Sequence, residues 1–165
     1  MIGCKDCVKG KEVTFTSSTI HGITIGKKLR AGVGLGFDSY AVWQMMPLFG
    51  SASWDFIGTR NTPALFVQLN YGWSRAWRIQ TPMDYGFTSV EGGKMMSGLF
   101  GCRIKYHDAS ISLAAGWKFQ RAYSYFKSPS YYFLQDGTMV EGTPNRTAIE
   151  HDMNRFMLSL AIGWK

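Results

Sequence analysis

The chain has 165 residues, 15% of them aromatic and 18% charged, with 19 glycines and a formal net charge of +7. That length suits one domain. The aromatic content excludes disorder, and glycine at this density, costing a helix about 1 kcal/mol per residue, argues against a helical bundle. The basic residues are scattered, with Lys27-Lys28 the densest pair, so neither a basic helix face nor an aromatic nucleic-acid signature is present and no nucleic-acid partner is expected.

In chain order, the residues fall into period-two segments separated by turns. Residues 12–25 open with a noisy alternation. Residues 31–43 set Ala31, Val33, Leu35, Phe37, Ala41 and Trp43 opposite Gly32, Gly34, Gly36, Asp38 and Tyr40. Successive strand residues point to opposite faces, so one face is apolar and the other small or polar. Residues 48–56 set Leu48, Ala52, Trp54 and Phe56 against Ser51, Ser53 and Asp55. Residues 64–78 are clearest, with Leu65, Val67, Leu69, Tyr71, Trp73 and Trp77 against Gln68, Asn70, Gly72 and Ser74, and Phe66 the exception. Residues 94–106 are noisier, their apolar face being Met96, Phe100, Cys102, Ile104 and Tyr106. Residues 111–125 alternate from Ile111 to Tyr125, with Ser112, Gly116, Lys118 and Gln120 opposite. The closing segment sets Phe156, Leu158, Leu160, Ile162 and Trp164 against Arg155, Ser159, Ala161 and Gly163.

These are seven predicted strands, most of ten residues or more. Membrane-spanning barrel strands need about 9–11 residues, while strands of soluble proteins average about 5–6. No apolar run reaches the ~18 residues of a membrane helix, which says nothing about spanning strands. The turns at 26–28, 58–61 and 107–108 are tight, while the alternate connections, 79–93 and 127–153, are long and 40–46 lies on their side. Short turns at one end and long loops at the other are the habit of outer-membrane barrels. Trp54, Tyr106 and Trp164 fall near the short-turn end, and Trp43, Trp73, Trp77 and Tyr123 near the long-loop end. Two such girdles suit the preference of Trp and Tyr for membrane interfaces. The fold class expected is an all-β, antiparallel, up-and-down transmembrane β-barrel of about eight strands, a single domain over 1–165.

Seven is an odd number, and an open edge in lipid leaves backbone groups unpaired. A truncated first strand is therefore expected, with its tail at Met1-Ile2-Gly3 and the first external loop following to residue 11; an irregular seven-stranded structure is the alternative. The opening MIGCKDCVKG has no apolar signal segment, so a leader, which an outer-membrane protein needs, is expected to have been removed or to lie outside this sequence.

The strand AGVGLGFDSY, the run MPLFGSASWDF, then TRNTPALFVQLNYGWS, GGKMMSGLFGCRIKY and the closing RFMLSLAIGWK resemble the outer-membrane β-barrel families common in Bacteroidota. The resemblance extends from Glu12 onward and rests on pattern, so it implies fold and location, the bacterial outer membrane, and hardly any activity. The family's signal peptide and first strand are missing, and the chain ends Trp164-Lys165 rather than on an aromatic residue.

The chemistry follows from the faces. Asp38, Asp55, Arg103, Lys105, Lys118 and Arg155 would point inward as an ion-pair and hydrogen-bond network filling the lumen, since eight strands leave a lumen just wide enough for side chains. The alternate glycines Gly32, Gly34 and Gly36 leave room for neighbours such as Tyr40, Arg103 or Lys118. Cys4 and Cys7 form C-x-x-C, a redox or half-zinc motif lacking an evident second half, or a local disulfide. Arg75 and Arg121 lie on the apolar phase near the long loops, to meet lipopolysaccharide phosphates bidentately or to snorkel to the interface. Tyr131, Tyr132 and Phe133 would dock a partner or fold over the mouth. Glu150-His151-Asp152 is the sole rim candidate for a nucleophile–base enzyme.

The expected role is a non-enzymatic structural or binding component of the envelope, with outer-membrane lipid and lipopolysaccharide as partners and other envelope proteins met through the long loops. No catalytic residue, cofactor or metal is assigned. A soluble lipocalin-like carrier and a rim-acting enzyme are the rivals.

Overall fold

The computed structural model describes residues 14–40, 43–58, 63–78, 87–106, 109–135 and 137–164. They form strands β1 (Phe15–Ile25), β2 (Leu29–Ser39), β3 (Trp43–Ile57), β4 (Ala64–Arg78), β5 (Phe87–Tyr106), β6 (Ala109–Ser128), β7 (Tyr131–Phe133), β8 (Met139–Glu141) and β9 (Asn145–Trp164). Among the described residues there is no helix. Seven strands make one sheet in the order β1-β2-β3-β4-β5-β6-β9, every neighbouring pair antiparallel. β7 and β8 form a separate two-stranded hairpin between β6 and β9.

The up-and-down antiparallel fold therefore stands, but the sheet is not closed into a barrel: β1 and β9 are its two edges. It curls far enough that Arg155 on β9 donates to Thr14, just before β1, and to Thr16, its second residue, at 2.7 and 2.9 Å. Gly26, at a φ of 67°, takes the left-handed conformation in the β1–β2 turn, which glycine adopts without a Cβ penalty.

Three strand boundaries depart from the sequence reading. Trp43 opens β3 rather than closing β2, so β3 runs through Pro47. Proline has no N–H to give the ladder, and the β2–β3 register skips between Leu35↔Leu48 and Asp38↔Met45, spanning that residue. β5 begins at Phe87, inside the expected loop. β9 begins at Asn145, so residues 145–153 are strand rather than loop, each paired with β6. β5, β6 and β9 are thus 20 residues long while β1 and β2 are 11, and the sheet rises on one side into a three-stranded extension.

The faces follow the alternation. Ala64, Phe66, Asn70, Ser74 and Ala76 of β4 are buried while Val67, Leu69, Tyr71, Trp73 and Trp77 are exposed. Phe66 is inward, as its phase demands, and packs with Leu99, Ala114 and Met157; a second small cluster joins Met45, Ala76 and Ala122. A Cβ on Gly34 would clash with the ring edge of Phe49, and one on Gly36 would meet Pro47, so these neighbours, not Tyr40, Arg103 or Lys118, fill the space the glycines leave. The expected tail and loop at 1–11, Cys4 and Cys7, the turns at 59–62 and 107–108, and the side chains of Trp43, Tyr106 and Tyr132 lie outside the described residues.

Candidate functional site

The concave face carries two ionic clusters. Asp38, on β2 and wholly buried, accepts from Lys118 Nζ of β6 on both oxygens at 2.8 and 2.6 Å, from Arg155 Nη2 of β9 at 2.8 Å and from Thr16 Oγ1 of β1 at 2.8 Å. Alternation puts these side chains on one face, and the curl brings four strands onto one carboxylate. Tyr40 stands beside the cluster, donating to Gln120 Oε1 at 2.8 Å under the Arg155 guanidinium, which lies 4.4 Å from the ring centre. Among the described residues Gln120 Nε2 and Arg155 Nε find no acceptor.

Asp55, near the end of β3, gathers the second cluster. Arg103 Nη1 donates to it, Lys105 Nζ lies at 2.8 Å and Arg30 Nη2 at 3.6 Å. Arg103 also donates to Ser112 at 3.0 Å and lies over the Phe66 ring at 4.1 Å. Polar groups bridge the interval, with Asn70 donating to Ser97 at 2.8 Å. A buried ion pair is tolerable only when its remaining donors and acceptors are also met; these clusters meet most of theirs, Arg155 Nε being left over among the described residues.

A cavity of about 1370 Å³ runs along this face. Arg30, Arg103, Lys105 and Lys118 line it, and among the described residues no carboxylate does. Among the described residues the charges balance poorly: Arg30, Arg103, Lys105, Lys118 and Arg155 meet Asp38 and Asp55.

The convex face holds the remaining expected residues. Trp54, Trp73, Trp77 and Trp164 are exposed there, Trp54 and Trp164 at the end of the short turns and Trp77 one residue from the end of β4. Trp77 donates to Gln44 at 2.6 Å, and Tyr123 is half-buried on the same face. Cys102 is a free thiol on this face. Arg75 is exposed, with no ion pair among the described residues, and Lys94 on the next strand is exposed opposite Trp73. Arg121 differs from Arg75: it is held by Asp152 at 2.7 and 3.0 Å and by Glu150 at 2.6 Å. Equal treatment of the two arginines is thus corrected, because the extension of β9 sets two carboxylates against only one of them.

In that extension Tyr125 donates to Glu91 at 3.1 Å, and this acceptor holds the phenol above its ordinary pKa. His151 Nε2 lies 2.9 Å from the Ser124 hydroxyl on the concave side. Tyr131, Phe133 and Met139 of the β7–β8 hairpin are exposed. Among the described residues no group of three or more His, Cys, Asp or Glu could hold a metal ion.

Sequence reasoning identified Asp38, Asp55, Arg103, Lys105, Lys118 and Arg155 as inward-facing, and the structure brings them together in the two clusters. It missed Arg30 and Thr16, whose signal was their even phase in noisy or short segments, and Lys94, which sits between Gly93 and two methionines. Neither a family model, a curated protein nor a solved structure matches.

Proposed function

We propose that the chain forms a bacterial outer-membrane β-barrel of the Bacteroidota type, about eight strands around once the seam between β1 and β9 is filled. It acts as a non-enzymatic structural or binding component of the envelope, meeting lipid and lipopolysaccharide on its convex face and other envelope proteins through its long-loop end. One observation carries this reading: the polarity of the sheet is inverted. Leu69, Trp73 and Leu113 are about 60% exposed on the convex face (62%, 60% and 63%), while Asp38, Asp55, Arg103 and Lys118 are buried on the concave one. Apolar patches on soluble monomers rarely exceed a few hundred Å², whereas barrels in lipid wear an apolar band about 25 Å tall. Eleven residues at about 3.4 Å, tilted by about 40°, span a band of that height.

A soluble ligand carrier would need its large apolar side chains on the concave face, where this chain has ions. For a rim enzyme the Ser124–His151 pair is the relevant observation. Ser124 is 3% exposed, which supports a structural hydrogen bond. Arg75, without an acidic partner among the described residues and near Lys94, is the better placed of the two arginines for lipopolysaccharide phosphate.

Electrophoresis of the detergent-purified protein, boiled and unboiled, tests the reading. A compact band that shifts on boiling is expected. A protein that stays monodisperse without detergent and shows no shift would overturn it in favour of the ligand carrier.

A further inference from the structure

The seam between β1 and β9 has a direction and a charge, and together they describe what fits it. Six successive antiparallel pairings leave β1 and β9 running the same way, so neither can complete the other's antiparallel ladder. A strand running opposite to both pairs with each. The cavity reaches the seam through the full thickness of the sheet, for it is lined by residues 15–24 of β1 and 157–164 of β9 without regard to face. On the convex side the β9 flank is apolar, Leu158 and Ile162 among its residues, while β1 intersperses Ser17, Thr19 and His21 between Phe15 and Ile23. On the concave side Ile20 of β1 and Met157 of β9 flank the seam toward the Asp38 cluster, but toward Asp55 the residues are small, Ser159, Ala161 and Gly163 on β9 and Gly22 and Thr24 on β1, so a long side chain entering at that end meets small groups before the cations.

Those cations are in surplus. Around Asp55 stand Arg30, Arg103 and Lys105, three positive groups on one carboxylate. Arg103 is buried, whereas the Arg30 and Lys105 side chains are 31% and 21% exposed beside the open seam; filling the seam would enclose them too, which is costly unless a further anion enters.

We propose that the seam takes an antiparallel β-strand from outside the described sheet, about ten residues long, apolar on its outer face and bearing a carboxylate on its inner face toward Arg30, Arg103 and Lys105. The proposal deepens the barrel reading and rests on it for the apolar outer face. A second copy of the chain does not suit the seam, because it brings the same positive surplus and a whole curled sheet.

The test uses the full chain refolded in detergent micelles and three synthetic eleven-residue peptides. Their outer positions are Leu and Val, their inner positions Ser and Gly, and the inner position that falls beside Thr24 of β1, level with Arg30, is Glu, Gln or Lys. The Glu peptide is expected to bind one per protein, about tenfold or more tighter than the Gln peptide, with the Lys peptide weakest. That order should collapse in the Arg30→Gln/Lys105→Gln variant, whose circular dichroism shows the sheet retained. Equal binding of the three peptides overturns the carboxylate. Loss of the Glu preference in phosphate, but not in chloride of equal ionic strength, assigns the cations to a free oxyanion and overturns it as well. Failure of every peptide to bind a folded protein overturns the seam as a strand site, and pairing of two copies in cross-linking does the same. The comparison is repeated without detergent if the protein proves soluble, so a failed barrel reading and a failed strand site are read separately.

Discussion

Asp38 is the residue on which most of the concave face converges. It is wholly buried and its partners Lys118 and Arg155 have side chains 5% and 14% exposed, so its charge holds two cations that would otherwise be enclosed alone. Replacing it with Asn should cost about 3–5 kcal/mol, the usual penalty for stranding a buried ion. Urea unfolding in detergent reads the loss, and adding Lys118→Met to Asp38→Asn should restore part of it; an unchanged midpoint for the single variant would show that the pairing contributes nothing. On the convex face the two arginines should now separate. Arg75→Gln is expected to lower lipopolysaccharide retained through detergent extraction severalfold, whereas Arg121→Gln should lower it less, because Arg121 already serves Glu150 and Asp152. Phosphate assay of the purified variants checks this, and equal retention by Arg75→Gln and the parent would remove Arg75 from lipid contact. The sidedness of Asp38 and Lys118 was legible because parity along a strand fixes it. Their partnership was not, since it joins residues 80 apart in the chain and depends on how tightly the sheet curls.

Among the elements, β4 was fully legible, Ala64–Arg78 in both readings, because large apolar and small polar residues alternate there with one exception. β9 was half legible. Residues 156–164 alternate in hydrophobicity, but in 145–153 the outward positions are Arg146, Ala148, Glu150 and Asp152, so the period-two signal is carried by shape and pairing instead of polarity. The same mixture hid residues 87–93 of β5. The polar outward face of this extension is what a strand leaving an apolar layer for water should have. β6 holds the extension together, pairing with β5 on one side and β9 on the other, and Ala122 sits between Gly92 and His151. A proline there removes an N–H from the ladder and crowds a wholly buried position. Ala122→Pro should therefore speed protease cleavage within 145–151 by about tenfold or more, opening of the extension becoming easier by about 1.4 kcal/mol or more. The lower sheet should stay resistant; cleavage at the parent rate would mean that the extension does not depend on β6.

At the scale of the molecule, the all-β, up-and-down architecture was legible from strand length and from the alternation of short and long connections. The open seam was foreshadowed by the odd strand count, and the cluster geometry was not, because the chain's net charge of +7 does not reveal that much of the surplus faces inward. Every ladder in the large sheet joins strands that follow one another in the chain, apart from the hairpin set between β6 and β9. The contact from Arg155 to Thr14, in contrast, links residues 141 apart. Contacts near in sequence form quickly, and distant ones wait on the entropy of closing a long loop. Assembly can thus run as a zipper, one hairpin laying down the template for the next. The meeting of the two edges is left as the slow event, and during that wait the growing sheet has a free margin on each side.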